Sequence, residues 1–160
     1  MIDRNEEPSY PIDAISLLKT DHRKVKNLFA RYESAGHFST KYLIAEQVFP
    51  ALDLHAQLEE QVFYPAYETM AGTHGTQLVA DSRLAHEHMR ELMIELQGMD
   101  LDEVTFEEKF HALMGIVREH MAEEENAIFP EAEQILADQL EDLMDHMVDL
   151  KHHLTSSPQQ

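Results

Sequence analysis

The feature that most constrains this chain is a short motif that occurs twice, once in each half of the sequence. Residues 55–60 read His-Ala-Gln-Leu-Glu-Glu, and residues 120–125 read His-Met-Ala-Glu-Glu-Glu. Each copy is followed at the same distance by a proline, Pro65 or Pro130. Residues four apart lie on the same face of an α-helix. Each copy therefore presents one imidazole and one carboxylate side by side, and the repeat predicts two similar helical halves.

Hydrophobic residues recur every three or four positions in four stretches, and the alternation typical of strands is absent. The stretches cover about residues 11–35, 40–69, 77–97 and from 103 onward. Short connectors with glycine, serine, threonine or aspartate separate them, which indicates antiparallel neighbours. We therefore expect an all-α fold, an antiparallel up-down-up-down four-helix bundle. Pro50 predicts a kink or a late start in the second helix.

The same patterns divide the chain into segments. Pro130 is expected to kink or end the fourth helix, which places the bundle at residues 11–137 after an N-terminal segment at 1–10. A weaker amphipathic pattern follows, and it predicts a short C-terminal helical extension at 138–154. Residues 155–160 are polar, so we expect a flexible tail there.

Charge and composition exclude several classes of function. The chain of 160 residues has 12 lysines and arginines against 31 aspartates and glutamates, a net charge of −19 that repels nucleic acid and anionic lipid. It contains no cysteine, so disulfides, zinc fingers and iron–sulfur sites are excluded. No apolar run approaches the length of a membrane span, and the first residues lack the apolar core of a secretion signal. We expect a cytoplasmic protein with no nucleic acid and no membrane as partners.

Polar side chains occupy positions of the apolar stripes, where aliphatic and aromatic residues otherwise stand. The first and third helices also repeat each other, because His22 and His86 are both followed by apolar residues at +3, +6 and +7. Burying an unpaired carboxylate is very unfavourable, and the stripes carry no lysine or arginine to pair with one. Cations would neutralise the carboxylates and bind the imidazoles. The two halves thus predict a two-metal site with six ligands: His22, His55, Glu59, His86, His120 and Glu124.

Some neighbouring residues compete for these roles. His88 is an alternative to His86, although the repeat favours His86. Glu60 and Glu125 lie off the stripes, and we expect them to orient imidazoles. Tyr32 and Tyr64 are candidates for approaching the site, with packing as the favoured role. The remaining histidines are interpreted as surface residues: His37, His74, His111, His146, His152 and His153.

Over about residues 12–136 these motifs resemble the hemerythrin-like family, also called the HHE cation-binding domain. The resemblance rests on the two His-x-x-x-Glu motifs with their prolines, and on residues around the two single histidines: Asp21, His22, Val25, Leu28, Phe29, His86, Met89 and Leu92. It implies a four-helix bundle around a non-haem di-iron centre, with an oxo or hydroxo bridge, that binds dioxygen or related small molecules. By that analogy Glu59 and Glu124 bridge the irons, and the four histidines are terminal ligands. The imidazole and carboxylate ligand set suits iron first, with manganese or zinc as substitutes.

The chain departs from the oxygen-carrying branch of that family. That branch has a second histidine four residues after the third-helix ligand, and a carboxylate five residues after the fourth-helix histidine. Here Arg90 stands at the first position, and Glu124 follows at four. The missing histidine leaves more coordination open, which disfavours simple reversible oxygen storage. We predict a protein that binds or reacts with dioxygen, hydrogen peroxide or nitric oxide, and the choice between enzyme, carrier and sensor stays open.

Three other functions compete with this prediction. A sensor or regulatory module would signal through the amphipathic segment at residues 139–154, as a surface for a protein partner or for self-association. A ferritin-like oxidase fits poorly, because only one Glu-x-x-His motif, Glu108 to His111, is present. A purely structural bundle is the third alternative, and under it replacing Glu59 by glutamine would be neutral or stabilising, because a buried charge is removed.

Overall fold

The structure, a computed structural model, describes residues 10–156. Two π-helical segments, π1 (Glu59–Phe63) and π2 (Glu124–Ile128), join α-helices end to end. The described residues contain no strand, so the all-α prediction is confirmed. The α-helices are α1 (Ala14–Ser34), α2 (Phe38–Leu58), α3 (Tyr64–Gly98), α4 (Glu103–Glu123), α5 (Phe129–Ile135) and α6 (Leu140–Ser156).

The start of α1 is set by a reciprocal pair of hydrogen bonds. The Asp13 carboxylate accepts from the backbone N–H of Ser16 at 2.8 Å, and the Ser16 hydroxyl accepts from the backbone N–H of Asp13 at 3.0 Å. These bonds satisfy donors that the first turn of a helix leaves free. The helix therefore begins at Ala14, slightly later than the sequence pattern predicted.

Four arms pack as the predicted antiparallel four-helix bundle. The first arm is α1, and the second runs from α2 through π1 to the break in α3 at Gly72. The third is the rest of α3, and the fourth is α4 with π2 and α5. α1 packs along α2, and α3 packs along α4.

Apolar side chains form two separate core clusters. In α1, Leu18 belongs to one cluster and Val25 belongs to the other. His22 lies between them and is fully buried. The bundle thus has a polar layer inside an otherwise apolar interior.

The prolines affect the arms less than expected. α2 begins at Phe38 and continues through Pro50, so the predicted late start is wrong. Pro130 does not end the fourth arm, which continues as α5 to Ile135. Both Pro65 and Pro130 stand directly after the first residue that follows a π segment. A proline cannot donate a backbone hydrogen bond and crowds the turn before it, and the wider π turn relieves both problems.

The second and third arms are separated at a glycine. α3 is helical on both sides of Gly72, whose φ of +70° and ψ of −151° are not helical. The loop expected between about residues 69 and 77 is therefore reduced to a sharp break at a single residue. Glycine reaches this backbone region without the clash that a Cβ atom would cause.

α6 packs back onto the bundle. It contacts α1, α2 and π1, and its residues Leu140, Leu143 and Met147 are buried in the core. Its apolar stripe, which the sequence offered as a partner surface, therefore covers the bundle itself. The helix ends at Ser156, slightly beyond the predicted end at residue 154.

The predicted terminal segments are only partly described. Residues 1–9 and 157–160, which make up most of the predicted N-terminal segment and tail, lie outside the described range. Among residues 10–156, no helix combines the length and the apolar character needed to cross a lipid bilayer.

We expect Gly72→Ala to destabilise the protein by about 1 to 3 kcal/mol, because its backbone conformation is almost restricted to glycine. Thermal unfolding should show the change as a fall of about 2 to 4 °C for each kcal/mol. Gly115→Ala is the control, because Gly115 is helical and exposed, and a new Cβ would meet nothing within 4 Å. That control should stabilise the helix by about 0.5 to 1 kcal/mol. Equal effects of the two substitutions would contradict the assignment of the break.

Candidate metal centre

The structure brings all six predicted ligands together in the polar layer of the bundle. Each arm contributes, because the histidines come from α1, α2, α3 and α4, and the glutamates open π1 and π2. None of the six side chains is appreciably exposed, and the largest exposure is 8 % for His120. The predicted convergence is therefore present in His22, His55, Glu59, His86, His120 and Glu124.

Each glutamate faces histidines of both halves of the chain. Glu124 Oε1 lies 3.3 Å from His22 Nε2 and 3.1 Å from His120 Nε2. Glu59 Oε1 lies 3.3 Å from His55 Nε2 and 3.2 Å from His86 Nε2. Each carboxylate thus lies between an imidazole of one half and an imidazole of the other, a position suited to a ligand shared by two ions.

The donor atoms fall into two groups that share a glutamate. His22, His55, Glu59 and Glu124 form one group, and Glu59 with His86 and His120 forms the other; within each group the lone-pair atoms lie within 4.8 Å of one another. In the second group the Nε2 atoms of His86 and His120 are 3.0 Å apart. Two nitrogens that bind one ion at about 2.1 Å, at close to a right angle, would have about this separation.

Several of these buried atoms have no hydrogen bond in the described part of the chain. They are Nε2 of His22 and of His55, Oε2 of Glu59 and Oε1 of Glu124. Buried polar atoms are normally satisfied, and a group left without a partner costs stability. Four lone-pair atoms of this kind in one small volume fit the binding of cations, so the residues present are suited to a metal.

A second layer of carboxylates holds the imidazoles from behind. Glu125 Oε1 lies 3.1 Å from His22 Nδ1, and Glu60 Oε2 lies 3.0 Å from His86 Nδ1. A carboxylate on Nδ1 fixes the ring orientation and leaves Nε2 free to bind a metal. The structure thus places Glu60 and Glu125 where the sequence analysis expected them.

Two cations hold these outer carboxylates in turn. Lys26 Nζ lies 3.4 Å from Glu125 Oε2, and Arg90 makes a two-pronged contact with Glu60, with Nη2 to Oε2 at 2.7 Å. Arg90 stands where the oxygen-carrying branch would place a further histidine. In this chain it supports Glu60, the residue that orients His86.

Asp21 contacts the polar layer, although the sequence pattern assigned it no role beyond its place in the family resemblance. Its Oδ2 lies 3.0 Å from His55 Nδ1, so it supports His55 as Glu125 supports His22. The available signal was its position directly before His22, which turns it toward the neighbouring arm. The pattern of polar residues on apolar stripes does not detect such a residue.

Tyr64 lies inside the centre, contrary to the packing role favoured from sequence. Its hydroxyl lies 3.0 Å from Glu124 Oε2 and 3.2 Å from Glu59 Oε1, so its one hydrogen can be donated to either glutamate. Burial, with Glu124 and Glu59 nearby, raises its pKa well above the usual value, so it remains a hydrogen-bond donor. Tyr32 has the packing role expected of it, with its ring centroid 4.2 Å from that of Phe110.

The buried charges compensate one another. Burial alone would lower the pKa of His55, yet contacts with Glu59 and Asp21 raise it well above its usual value. At His120 burial again lowers the pKa, but the contact with Glu124 raises it. The net result is a pKa of about 10. Burial would raise the pKa of Glu59, but His55 together with contacts to Glu124 and His120 outweighs burial and holds that pKa well below its usual range. Metal ions would replace the protons on these imidazoles as the counter-charge.

The competing candidates lie away from the centre. His88 is exposed, whereas His86 is buried, so the choice between them made from the repeat agrees with the structure. Glu108 and His111, the residues of the ferritin-like alternative, are both exposed on α4. The other histidines interpreted as surface residues are exposed as well: His37, His74, His146, His152 and His153.

The sequence of this chain is similar to those of known proteins. The chain is 28 % identical over 132 residues to an uncharacterised hemerythrin-like protein of Schizosaccharomyces pombe, covering 82 % of this chain and 65 % of that protein. It is 26 % identical over 113 residues to a DNA nickase of a Nostoc species, covering 71 % of this chain and 31 % of the nickase. The chain thus spans less than two thirds of the length of both relatives.

A solved structure shares the fold. The crystal structure of a hemerythrin HHE cation-binding domain-containing protein from Mycobacterium kansasii matches with a TM-score of 0.76 at 20 % identity, over 92 % of this chain and 90 % of that chain. The family model of the hemerythrin HHE cation binding domain matches residues 13–132, a range that contains the whole polar layer. On this match the chain belongs to the hemerythrin HHE cation-binding domain family.

Proposed function

We propose that this protein holds two iron ions in the polar layer and uses them to bind or react with dioxygen, hydrogen peroxide or nitric oxide. The observation that carries the proposal is the position of Glu59 and Glu124, each within 3.3 Å of histidines from both halves. His22 and His55 would serve one ion, and His86 and His120 the other. Both glutamates would bridge.

The donor set supports iron over other metals. Nitrogen and carboxylate oxygen ligands with open coordination positions are typical of non-haem iron, and manganese or zinc can occupy similar sites. The chain has no cysteine to favour a softer metal. When bound, two ferrous ions supply electrons and open positions for a small molecule. The residues of the chain supply orientation, dryness and hydrogen bonds.

The surroundings of the centre support small, largely uncharged ligands. Phe129 stacks on His22 with ring centroids 5.5 Å apart, and Phe63 packs edge-on against Phe129 at 5.8 Å. These rings are fully buried and exclude water from one side of the centre. Tyr64 donates its one hydroxyl hydrogen to Glu124 or Glu59, and it would turn that hydrogen toward an oxygen-containing ligand bound beside them. The face of the centre beside Phe63 and Phe129 is thus apolar, and Tyr64 supplies a hydroxyl hydrogen within the centre.

The similarity to a DNA nickase does not lead us to propose action on DNA. The match covers 31 % of that protein, so its activity has no assigned place in the shared part. A net charge of −19 opposes contact with a phosphate backbone.

A sensory function is the second candidate, and the position of α6 favours it. α6 packs against π1, the segment that begins with Glu59. A change in metal occupancy that moves Glu59 would therefore reach α6 through direct contact. The same centre would then report on metal or oxygen through the C-terminal helix, which would change its packing or self-association.

We expect two iron ions for each chain when the purified protein is loaded under anaerobic conditions and measured by elemental analysis. Glu59→Gln or Glu124→Gln should reduce this stoichiometry, because each removes a carboxylate charge that faces histidines of both halves. Metal at a hundredfold its dissociation constant stabilises by about 2.7 kcal/mol, a rise in melting temperature of about 5 to 10 °C. Both variants should lose much of that rise.

Glu108→Gln provides the matched control, because Glu108 is exposed on α4 and remote from the centre. It should keep two irons and the full rise in melting temperature. Wild-type protein without iron after loading, or a Glu59→Gln variant with unchanged iron, would rule out the proposed centre.

We expect Tyr64→Phe to retain two irons but to slow the reaction with hydrogen peroxide by roughly 10²-fold, the effect typical of removing a hydrogen-bond donor at a reacting oxygen. The rate is measured by stopped-flow absorption of the ferrous protein. Tyr32→Phe is the control, because this buried tyrosine packs on Phe110 away from the centre. Equal rates in the two variants would remove Tyr64 from the proposed chemistry.

Enzyme and sensor are distinguished by measuring turnover and assembly on the same iron-loaded sample. Repeated consumption of peroxide or nitric oxide, with unchanged oligomeric state, supports an enzyme. A change in oligomeric state or in protection of α6 from hydrogen exchange on iron loading, without turnover, supports a sensor. Neither result would contradict the metal centre itself.

A further inference from the structure

The supporting network of the centre repeats almost completely between the two halves. The contact of Glu125 with His22 corresponds to that of Glu60 with His86, at 3.1 and 3.0 Å. When α1 is aligned on α3 so that His22 matches His86, Lys26 matches Arg90. These two cations also hold the corresponding carboxylates, Glu125 and Glu60.

One member of the network has no counterpart. Asp21 supports His55 through Nδ1 at 3.0 Å, and the same alignment matches Asp21 with Ala85. Ala85 has no acceptor to offer His120, the equivalent of His55. His120 Nδ1 is buried and has no hydrogen-bond partner among the described residues. Within that part of the chain, His120 is therefore the one histidine of the centre that no side chain orients from behind.

A cleft between α3 and α4 lies where the carboxylate is missing. It has a volume of about 220 Å³, and Ala85 and His120 both line it. Its other lining residues include three carboxylates, Asp81, Glu119 and Glu123, and neither lysine nor arginine. The cleft thus connects acidic surface residues with the buried imidazole that lacks a partner.

Two further differences between the halves concern the surroundings of His86 and His120. Tyr64 stacks on His86 as Phe129 stacks on His22, with centroids 5.7 and 5.5 Å apart, but only the first ring carries a hydroxyl. Ser82 stands one turn before His86 and is buried, and its hydroxyl has no hydrogen-bond partner among the described residues. The part of the centre around His86 and His120 is thus more polar than the other.

We propose that the two metal positions are unequal, and that divalent cations enter and leave the weaker one, held by His86 and His120, through the cleft beside Ala85. This inference rests on the proposed two-metal centre. Partners that orient metal-binding histidines typically contribute about 10- to 100-fold in affinity, so His120 binds less tightly than His55. The carboxylates of the cleft attract cations to its mouth.

The first test is a titration of the metal-free protein with Co²⁺ alone, followed by its visible absorption. We expect two ions in two steps, with affinities that differ by on the order of 10- to 100-fold. Ala85→Asp restores the missing carboxylate and should tighten the weaker step toward the stronger. Asp21→Ala removes the existing one and should weaken the stronger step toward the weaker. Each substitution should therefore bring the two affinities closer together. Ala85→Asp does so by raising the lower affinity, and Asp21→Ala does so by lowering the higher one.

Release to a chelator gives a second measurement on the same proteins. Wild-type protein should lose its two Co²⁺ ions in a fast and a slow phase of equal amplitude. Ala85→Asp should slow the fast phase, and Asp21→Ala should accelerate the slow one. Ala85→Leu fills the cleft without adding an acceptor, so it should slow loading and release alike and leave the two affinities apart. If position 85 acted only through the stability of the fold, Ala85→Asp and Ala85→Leu would change affinity and release in the same way.

The route is tested by loading rates. Neutralising Asp81, Glu119 and Glu123 together should slow Co²⁺ loading by on the order of tenfold and weaken its dependence on ionic strength. The control neutralises Glu141, Asp142 and Asp145, three exposed carboxylates on α6, with the same change in net charge. Equal slowing in both triple variants would overturn the cleft as the route.

The outcomes separate this inference from the function on which it rests. A wild-type protein that binds no Co²⁺ would refute the metal centre itself. Two ions bound in a single step, or steps that remain equally far apart in Ala85→Asp and Asp21→Ala, would refute the inequality and leave the centre intact.

Discussion

The whole molecule depends on placing ionisable side chains where water does not reach them. Glu59 and Glu124 are fully buried, and a carboxylate in such a place is tolerable only with counter-charge and hydrogen bonds around it. The arms of the bundle supply these from all sides, and Lys26 and Arg90 hold the outer carboxylates in turn. The arrangement that makes the burial tolerable also directs lone pairs toward one point.

Much of this arrangement could be predicted from sequence because it follows helical periodicity. Histidine and glutamate four residues apart share a face, and apolar neighbours at the same spacing place that face inside. Glu60 and Glu125, one position further, turn toward the adjacent arm, where they meet His86 and His22. The repeat between the two halves identified the third-helix ligand, because it distinguished His86 from the exposed His88.

The part that could not be predicted lies where periodicity changes. In a regular helix Tyr64 would lie about 140° around the axis from Glu59, since each residue turns about 100°. The π turn of Glu59–Phe63 widens the helix, and the Tyr64 N–H bonds the Glu59 carbonyl, which brings both side chains to one point. The role of Asp21 was hidden for a different reason: its partner His55 is on another arm, and stripe patterns describe one helix at a time.

If the chain acts as the proposed sensor, the same π turn would carry a change at the centre to α6. α6 buries Leu140, Leu143 and Met147 against the bundle, so it has no ready apolar stripe to offer a partner. It also contacts π1, a single-turn π segment of the kind that often occurs at functional sites. A metal that draws Glu59 inward would act on that segment first. Signalling by this chain would therefore require α6 to shift or detach, which exposes the stripe only when the centre changes.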